Sequence, residues 1–350
     1  MGPHPAVALT RAAVRGCLAD VDPGDVVLAA CSGGADSLAL AAALAHQAPL
    51  LGLRGGGVTI DHGLQAGSAA RAQAVAAVLT SLGLDPVCSE TVTVAVGPGG
   101  DGPEAAARTA RYAALGRCAT DTGATAVLLA HTRDDQAETV LLGLARGSGT
   151  RSLAGMPPRR GPYRRPLLEL SRAQLREACA AQGLQPWDDP HNADPAYARA
   201  RVRHIVLPAL EDALGPGVAN ALARTAAQLR ADGEALDALA DAQTKLLRAA
   251  DGSLDVAGLA RLPEAIRTRV LRATALAAGC PGGSLATSHI AALEALVTRW
   301  RGQRWSDLPG GIRASRQCGR LLFSAATSAG AGAQRGKNAE GVGGRERRGR

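Results

Sequence analysis

The sequence predicts an α/β protein with a mostly parallel, doubly wound sheet, a long connector helix and a smaller α+β domain near its C-terminal end. The main observation is that short β-prone runs, among them VVLAA and GVTIDH, alternate with helix-like runs over residues 25–147. The helix-like runs also carry start and stop signals, such as Pro and acidic residues at their beginnings and Gly at their ends. Such alternation is typical of a parallel sheet with helices on both faces.

The individual elements follow from local composition. Four β-prone runs give the strands in order: VVLAA, GVTIDH, VCSETVTVAV and TAVLLAH. Helices are predicted within or near residues 37–46, 68–82, 103–119, 134–147, 171–182, 199–210, 217–247, 263–278 and 287–301. Because ligands of parallel sheets bind at the carboxyl ends of the strands, we expect the functional site at residues 32–37, 61–62 and 131–135.

The length of 350 residues allows one large domain and a smaller one, each with its own core. We expect the large domain over residues 1–215, the connector helix over residues 216–249 and the small domain over residues 250–327. The segment 328–350 is rich in Gly, aperiodic and basic, so it is expected to be a disordered tail.

The formal net charge of +8 is unevenly distributed. The last twenty residues carry six Lys or Arg against two Glu, and residues 151–203 carry ten Arg against five Asp or Glu. The basic segment 151–208 therefore suits a polyanion such as a nucleic acid. A solvated Arg-rich surface is the alternative interpretation.

Cysteine spacing and hydropathy argue against several classes of protein. The seven cysteines form no C-x-x-C pair, which disfavours a zinc or iron–sulfur site and a disulfide framework. The first residues do not resemble a secretory signal peptide, and no apolar run is long enough to span a membrane. We therefore expect a soluble cytoplasmic protein without a membrane partner.

The stretch SGGADS lies between the first predicted strand and the helix that follows it. Two glycines allow a tight turn that directs backbone N–H groups at an anion, and two serines add hydroxyl donors beside a helix N-terminus. A carboxylate at position 36 repels phosphate unless a cation separates them, which indicates Mg²⁺ on a polyphosphate. An ordinary turn of small residues is the alternative. The loop residues are Ser32, Gly33, Gly34, Ala35, Asp36 and Ser37.

A group of acidic side chains follows the fourth predicted strand. Asp134, Asp135 and Glu138 fall in the first turn of the next helix, and the last two share one face of it. Two carboxylates can hold one ammonium group, which offers three donors and no acceptor. We therefore hypothesise a cationic ligand near the loop. Acidic residues that merely stabilise the helix N-terminus are the alternative.

These motifs resemble known families. SGGADS matches the SGGxDS signature of the PP-loop, or N-type ATP pyrophosphatase, superfamily, whose fold is that of the adenine nucleotide alpha hydrolases. The resemblance to the tRNA(Ile)-lysidine synthetase family covers residues 26–210, and residues 262–323 resemble its small substrate-binding domain more loosely. The stretches that carry the longer match are TIDHGLQAGS, EAAARTARYAAL, HTRDDQAETVLLGLARGSGTRSLAGM, RPLLELSR and DDPHNADPAYARARVRHIVLP.

The resemblance implies a ligase that forms a carbon–nitrogen bond. ATP would adenylate the carbon-2 oxygen of the wobble cytidine in the CAU anticodon of isoleucine tRNA, releasing pyrophosphate. The ε-amine of free L-lysine would then attack that carbon, and AMP would leave as lysidine forms. By resemblance, SGGADS binds ATP, Asp36 assists catalysis and binds Mg²⁺, and the pair Asp135 and Glu138 faces the substrate lysine.

The resemblance also implies tRNA contacts. Arg201 and Arg203 lie in RARVRH, where the family usually has R-N-R-x-R, and Arg165 lies in RPLLELSR. Phosphate contacts of this kind orient tRNA without reading its sequence. A homodimer is compatible with the sequence. Further candidate site residues, for which a structural role is equally open, are His62, Arg111, His131 and Asp134.

Two other functions stay open from the sequence. A tRNA thiolase of the same superfamily usually needs a cysteine pair or a C-x-x-C cluster, which is not visible here. A non-catalytic adenine-nucleotide-binding protein would explain the loop but not the acidic pair, the basic segment or the second domain. ATP turnover that requires both lysine and tRNA would distinguish these functions.

Overall fold

A computed structural model describes residues 2–61, 63, 67–92, 103–147, 149–189 and 194–326. His62 and the predicted tail at 328–350 lie outside the described residues. The chain divides into two compact units, Met1–Ala231 and Asp232–Arg350. Among the described residues, no helix combines the length and the apolar character needed to cross a bilayer.

The first unit begins with alternating helices and strands. In chain order these are α1 (Pro5–Cys17), β1 (Val26–Ala30), α2 (Ala35–Leu50), β2 (Arg54–Asp61), α3 (Ser68–Ser81), β3 (Val87–Thr91), α4 (Pro103–Thr122), β4 (Ala124–Leu128) and α5 (Arg133–Ala145). Shorter elements follow: α6 (Thr150–Leu153), β5 (Arg159–Arg160), β6 (Tyr163–Arg164), α7 (Arg172–Ala180), α8 (Ala198–Arg201), a π-helical segment (Val202–Val206) and α9 (Leu207–Leu214).

The strands of this unit form one six-stranded sheet in the order β3-β2-β1-β4-β6-β5. All neighbouring pairs are parallel except β5 with β6. The predicted α/β class with a mostly parallel sheet is thus confirmed. In the sheet, β2 lies on one side of β1 and β4 lies on the other side. The loops that follow β1 and β4 therefore meet at a topological switch point, where such sheets bind ligands.

The two faces of the sheet carry separate apolar cores. Val27 and Ala29 of β1 pack in the core that includes α1, α2 and α7, whereas Leu28 packs with α4 on the opposite face. Successive side chains of a strand point to opposite faces. A strand covered on both faces is therefore apolar throughout, which explains the uninterrupted run VVLAA.

The second unit contains a smaller sheet. The long helix α10 (Val218–Leu247) includes the division between the two units. The predicted domain limits themselves stay predictions. The elements after it are β7 (Leu254–Asp255), α11 (Val256–Arg261), α12 (Glu264–Ala277), α13 (Thr287–Thr298), β8 (Trp305–Leu308), β9 (Ile312–Gln317) and β10 (Arg320–Ala325). The strands pair antiparallel in the order β7-β10-β9-β8, over a core that includes Leu271 and Leu293.

Gly56 in β2 has no room for a side chain. A Cβ there would lie 2.6 Å from Leu28 Cδ2 and 2.6 Å from the carbonyl oxygen of Pro86. Because the carbonyl belongs to the backbone, we expect Gly56→Ala to lower the free energy of unfolding by about 1–3 kcal/mol. The midpoint of urea unfolding measures this loss.

Gly16→Ala is the matched control. It lies in α1 of the same unit, and an added Cβ meets nothing within 4 Å. Ala favours a helix over Gly, so this variant should be equally stable or slightly more stable than the wild type. Equal stability of Gly56→Ala and the wild type would contradict the steric argument.

Candidate active site

The loop of residues 32–37 connects β1 to α2 at the switch point of the sheet. Gly33 has φ +86°, in the left-handed region, and a Cβ there would lie 2.8 Å from Val75 Cγ2. Its carbonyl oxygen accepts a hydrogen bond from the Trp187 N–H at 2.9 Å. The Arg71 guanidinium lies 3.4 Å from the centroid of the Trp187 ring, in cation–π contact. The hydrogen bond from Trp187 and the left-handed conformation of Gly33 therefore both fix the shape of the loop.

Hydroxyl groups close the loop on itself. The Ser32 N–H donates to Ser37 Oγ at 3.1 Å, and Ser37 Oγ donates to the Gly34 carbonyl oxygen at 2.9 Å. Gly34 is the N-cap of α2, and no side chain of the described residues caps this helix. The N–H groups of its first turn and its positive dipole end can therefore serve an anion, as the sequence predicts.

Asp36 is the partly buried carboxylate of this loop, with its side chain 23% exposed. Its Oδ2 lies 3.5 Å from Arg172 Nε, whereas its buried Oδ1 has no hydrogen-bond partner among the described residues. Burial raises the pKa of Asp36 to about 6, against the opposing effect of the Arg172 charge, and the Asp135 carboxylate raises it further. A buried carboxylate oxygen without a donor fits a hard divalent cation such as Mg²⁺.

The protein itself supplies few ligands for such a cation. Among the described residues, no three His, Cys, Asp or Glu side chains are grouped so as to hold a metal ion. Mg²⁺ usually keeps several waters and binds through one or two carboxylates together with substrate phosphates. Asp36 alone therefore suits a magnesium ion that arrives with a polyphosphate.

The acidic residues after β4 begin α5, at the neighbouring strand end. Thr132 is the N-cap, and Asp135 completes a capping box with it. Asp135 Oδ2 accepts hydrogen bonds from the Thr132 N–H at 2.8 Å and from Thr132 Oγ1 at 2.9 Å. Asp135 thus has the helix-stabilising role that the sequence left as an alternative, and its Oδ1 stays available for a cation.

Arginine guanidinium groups contact the acidic pair, Asp135 and Glu138. Arg172 Nη2 lies 3.0 Å from Asp135 Oδ1 and 3.4 Å from Glu138 Oε1. Arg203 donates from Nε to Glu138 Oε1 at 2.7 Å and from Nη2 to Glu138 Oε2 at 3.1 Å and to Asp135 Oδ1 at 3.3 Å. Arg199 Nε lies 3.1 Å from Glu138 Oε2. The pair is therefore neutralised by residues of this chain.

The charges of this cluster stabilise one another. The Glu138 side chain is 0% exposed, so an unpaired charge there would be costly. Burial opposes ionisation of Asp135, but the Arg172 charge and the Thr132 N–H outweigh it and lower the pKa of this carboxyl. Burial likewise opposes the charge of Arg172, yet the Asp135 and Glu138 carboxylates raise its pKa above the ordinary value.

The placement of Arg203 differs from the surface phosphate contact predicted for it. Arg199 in α8 and Arg203 in the π-helical segment lie four residues apart and both reach Glu138. Residues at this spacing share a helix face, and π-helical turns are frequent at functional sites. Arg201 is exposed instead, and its Nη1 donates to the carbonyl oxygens of Pro195 at 2.6 Å and Ala196 at 2.9 Å.

Arg165, which the resemblance assigns to tRNA contact, is a buried residue. Its side chain is buried, with Nη1 donating to the Pro157 carbonyl oxygen at 2.9 Å and Nη2 to Tyr112 Oη at 3.1 Å. The neighbouring Arg111 is largely buried too, and burial together with the Arg108 charge lowers its pKa. This cluster of cations lies beside the carboxyl end of β4.

His131 and Asp134 complete the group of predicted residues. Burial lowers the pKa of His131 to about 3, against the opposing effect of Asp135, so the imidazole is neutral. Its buried Nδ1 has no hydrogen-bond partner among the described residues. Asp134 Oδ2 accepts a hydrogen bond from the Arg172 N–H at 2.9 Å, which ties the start of α7 to the start of α5.

The structure therefore brings together Asp36, the acidic pair and three arginines. Sequence analysis overlooked Arg172 and Arg199. Arg172 ends the stretch RPLLELSR and Arg199 lies in ARARVRH, where neither stands out from the other arginines. The available signal was the excess of arginine in residues 151–203, which follow the acidic pair in the sequence. This excess does not indicate which arginines reach the pair.

Comparison with known families covers both units. Residues 10–210 match the PP-loop domain, and residues 254–321 match the TilS substrate binding domain. Among solved structures, the U34-tRNA thiolase NcsA from Methanococcus maripaludis with its [4Fe-4S] cluster is similar with a TM-score of 0.52. At 18% identity, covering 64% of this chain and 79% of that one, this likeness concerns the fold alone.

Several proteins named tRNA(Ile)-lysidine synthase are much more similar. The one from Thermobifida fusca is 60% identical over 93% of this chain and 99% of its own length. Those from Streptomyces coelicolor and Salinispora tropica are 55% and 58% identical over 92% and 91% of this chain, and 99% and 96% of their own lengths. Together with the two domain matches, these relatives show that the chain belongs to the tRNA(Ile)-lysidine synthase family.

Proposed function

We propose that the protein is a ligase that joins L-lysine to carbon 2 of the wobble cytidine in isoleucine tRNA with the anticodon CAU. The reaction consumes ATP and releases pyrophosphate and AMP. One observation carries this proposal: the loop of residues 32–37, called here the phosphate-type loop, and the acidic pair share one guanidinium. It belongs to Arg172 and lies 3.5 Å from Asp36 and 3.0 Å from Asp135. A nucleotide and a cationic amine would thus bind side by side.

The loop of residues 32–37 would hold the phosphates of ATP. The N–H groups at the uncapped start of α2 would bind an anion, and Asp36 would hold the Mg²⁺ that accompanies ATP. When bound, Mg²⁺ neutralises charge on the phosphates. In the first step, the carbon-2 oxygen of cytidine attacks the α-phosphorus of ATP, and the bond to pyrophosphate breaks.

The acidic pair would hold the substrate lysine. Carbon 2 of cytidine is an unreactive urea-like carbonyl, and adenylation turns its oxygen into part of a good leaving group. The lysine ε-nitrogen must be neutral when it attacks carbon 2, so a carboxylate of the pair would both hold it and accept a proton. The bond from carbon 2 to oxygen then breaks, and AMP leaves with that oxygen.

His131 has a different role in this scheme. With a pKa of about 3 it is neutral, and its unpartnered Nδ1 is open to a hydrogen bond. We assign it to orienting a donor on the nucleobase or the amine. Arg165, which is buried against Tyr112 and Pro157, is assigned a structural role in place of a tRNA contact.

Exposed basic side chains on each unit would contact tRNA. On the first unit these include Arg160 and Arg201. On the second unit, residues 299–320 contain six Arg and one acidic residue. There the exposed Trp305 ring lies 4.3 Å from the Arg313 guanidinium carbon. Arginine and exposed aromatic rings together suit an RNA backbone and its bases.

The direct test is incubation of the purified protein with Mg²⁺, ATP, radiolabelled lysine and an isoleucine tRNA transcript bearing CAU, followed by nucleoside analysis. Label should appear in lysidine and depend on ATP. The matched control is the same tRNA with uridine at the wobble position, which should stay unlabelled. A folded protein that labels neither tRNA would refute the proposal.

The relatives give no support to the alternatives of a thiolase or a non-catalytic nucleotide-binding protein.

Replacing Asp36 should separate activity from stability. Asp36→Asn should abolish lysidine formation, because an amide holds a divalent cation poorly. Since burial raises the pKa of Asp36 from 3.8 to about 6, its ionised form destabilises the folded state above that pH. The variant should therefore gain about 1–3 kcal/mol of unfolding free energy at about pH 7. Urea unfolding in the absence of ligands measures the gain.

The pH dependence provides the control for this gain. At about pH 3 the carboxyl of Asp36 is protonated in the folded and the unfolded state, so the two proteins should be nearly equally stable. Asp188→Asn, at a side chain that is 79% exposed, should change stability little at either pH. An Asp36→Asn protein that is not more stable at about pH 7 would contradict the argument from burial.

The acidic pair should recognise lysine and not ATP. Asp135→Asn keeps an oxygen for the Thr132 cap, and Glu138→Gln keeps the shape of its side chain. Each loses a charge-assisted hydrogen bond to the ammonium group, so the KM for lysine should rise about ten- to hundredfold. Both variants should still adenylate tRNA, measured as ATP–pyrophosphate exchange. Complete loss of that exchange in folded variants would mean that the pair serves Mg²⁺–ATP.

Arg201 and Arg165 should respond differently to truncation. Arg201→Ala should raise the KM for tRNA and reduce the slope of log Kd against log salt by about one, with ATP binding unchanged. Arg165→Ala leaves buried acceptors unpaired and should cost about 1–3 kcal/mol of stability without changing that slope. Filter binding across a salt series and thermal unfolding measure the two effects. Equal salt slopes for Arg201→Ala and wild type would contradict the phosphate contact.

A further inference from the structure

We propose that Arg172 is a positioning residue that couples the binding of lysine to the binding of ATP. The incoming ammonium displaces the Arg172 guanidinium from the acidic pair, and the displaced group turns towards the ATP phosphates beside Asp36. Lysine and ATP then bind cooperatively. This inference rests on the proposed function and goes beyond it, because it assigns a role to Arg172, which pairs with carboxylates of this chain before substrates bind.

The position of Arg172 between the two subsites is the first argument. Its Nε lies 3.5 Å from Asp36 Oδ2, and its Nη2 lies 3.0 Å from Asp135 Oδ1 and 3.4 Å from Glu138 Oε1. Within the described part of the chain, no other side chain is within ion-pair distance of both Asp36 and the acidic pair. A change in charge at one subsite therefore changes the interaction of Arg172 with the other subsite.

The charge balance of the cluster is the second argument. Three carboxylates and three guanidinium groups lie within ion-pair distance of one another, so the charges of these six groups balance before substrates bind. A lysine ammonium adds one positive charge in a largely buried place, which is costly unless a negative charge joins it. The phosphates of ATP supply that charge. The six groups are Asp36, Asp135, Glu138, Arg172, Arg199 and Arg203.

The anchoring of Arg172 shows how it can move without unfolding the site. Its backbone N–H donates to Asp134, and Ser171 caps α7 in a capping box with Gln174. One turn further on, Leu175 is buried in the core. The side chain itself is 21% exposed. The guanidinium can therefore turn about its own side-chain bonds while the helix stays in place.

Arg172 is held less tightly to Glu138 than Arg203 is. Arg203 binds Glu138 through two nitrogens, at 2.7 and 3.1 Å. Arg199 has a further partner, since its Nη2 donates to Thr139 Oγ1 at 2.9 Å. Arg172 reaches Glu138 at 3.4 Å and Asp36 at 3.5 Å, which are long contacts, and Asp135 at 3.0 Å. A bidentate pair is stronger than a single long contact, so at Glu138 an ammonium group displaces Arg172 more readily than Arg203.

The test is isothermal titration of the full-length protein with Mg²⁺–ATP, with and without saturating lysine and without tRNA. Lysine should tighten ATP binding in the wild type by about fivefold or more, and ATP should tighten lysine binding by the same factor. Arg172→Gln, which removes the charge, should bring the ratio to about one. Arg172→Lys, whose single ammonium cannot span both subsites, should reduce the ratio below half of the wild-type value.

Arg176→Gln is the matched control. It changes the same residue type one turn later in α7, where the side chain is 61% exposed and paired with Asp188. It should keep the wild-type ratio. If Arg172→Gln fails to fold, the wild-type ratio and Arg172→Lys still decide the question. In steady-state assays, Arg172→Gln should raise the KM for ATP at saturating lysine more than at low lysine, a dependence that a purely structural role would not produce.

Two results would overturn the inference: no coupling in the wild type, or an unchanged ratio in a folded Arg172 variant. Both can be told apart from failure of the proposed function. If lysine is incorporated into tRNA but shows no coupling with ATP, only the role of Arg172 is wrong. If lysine neither binds nor is incorporated, the proposed function and the inference fall together.

Discussion

The site depends on how Glu138, a fully buried carboxylate, is neutralised. An ionised carboxylate in such a place must be paired, and breaking a buried pair is strongly destabilising. Arg203 and Arg199 reach it from the π-helical segment and α8, and Arg172 reaches it from α7. The need to pair one acid therefore brings two separate stretches of chain, α7 and the run from α8 into the π-helical segment, to the start of α5.

The two kinds of carboxylate in this site have opposite surroundings. Asp135 is surrounded by donors, and its pKa is lowered. Asp36 has one oxygen without a donor, and its pKa is raised to about 6. When environments push the pKa values of neighbouring acids apart, their roles differ. Asp36 is short of positive charge, as a site for a cation on a nucleotide should be, and Asp135 is charged and oriented before any substrate arrives.

Most of the regular elements were predictable, and the exceptions are instructive. The runs VVLAA, GVTIDH and TAVLLAH correspond to β1, β2 and β4, because strands buried on both faces are apolar throughout. The hairpin of β5 and β6 was missed, since strands of two residues have no periodicity. Helix α1 was also missed, although its Val7 and Val14 are buried at a helical spacing. The helix predicted at 199–210 is instead α8, a π-helical segment and α9.

The sequence by itself determined the phosphate-type loop, the acidic pair at a helix start and the family, because these features are encoded within short stretches whose geometry is local. Tertiary structure alone decided which charges meet. Arg172 and Arg203 lie 34 and 65 residues from Glu138 along the chain, and Arg165 turned out to be buried. Such pairings depend on how helices pack and on which face of a helix turns inward. Helical spacing therefore placed Arg199 and Arg203, four residues apart, in the site and left Arg201, between them, at the surface.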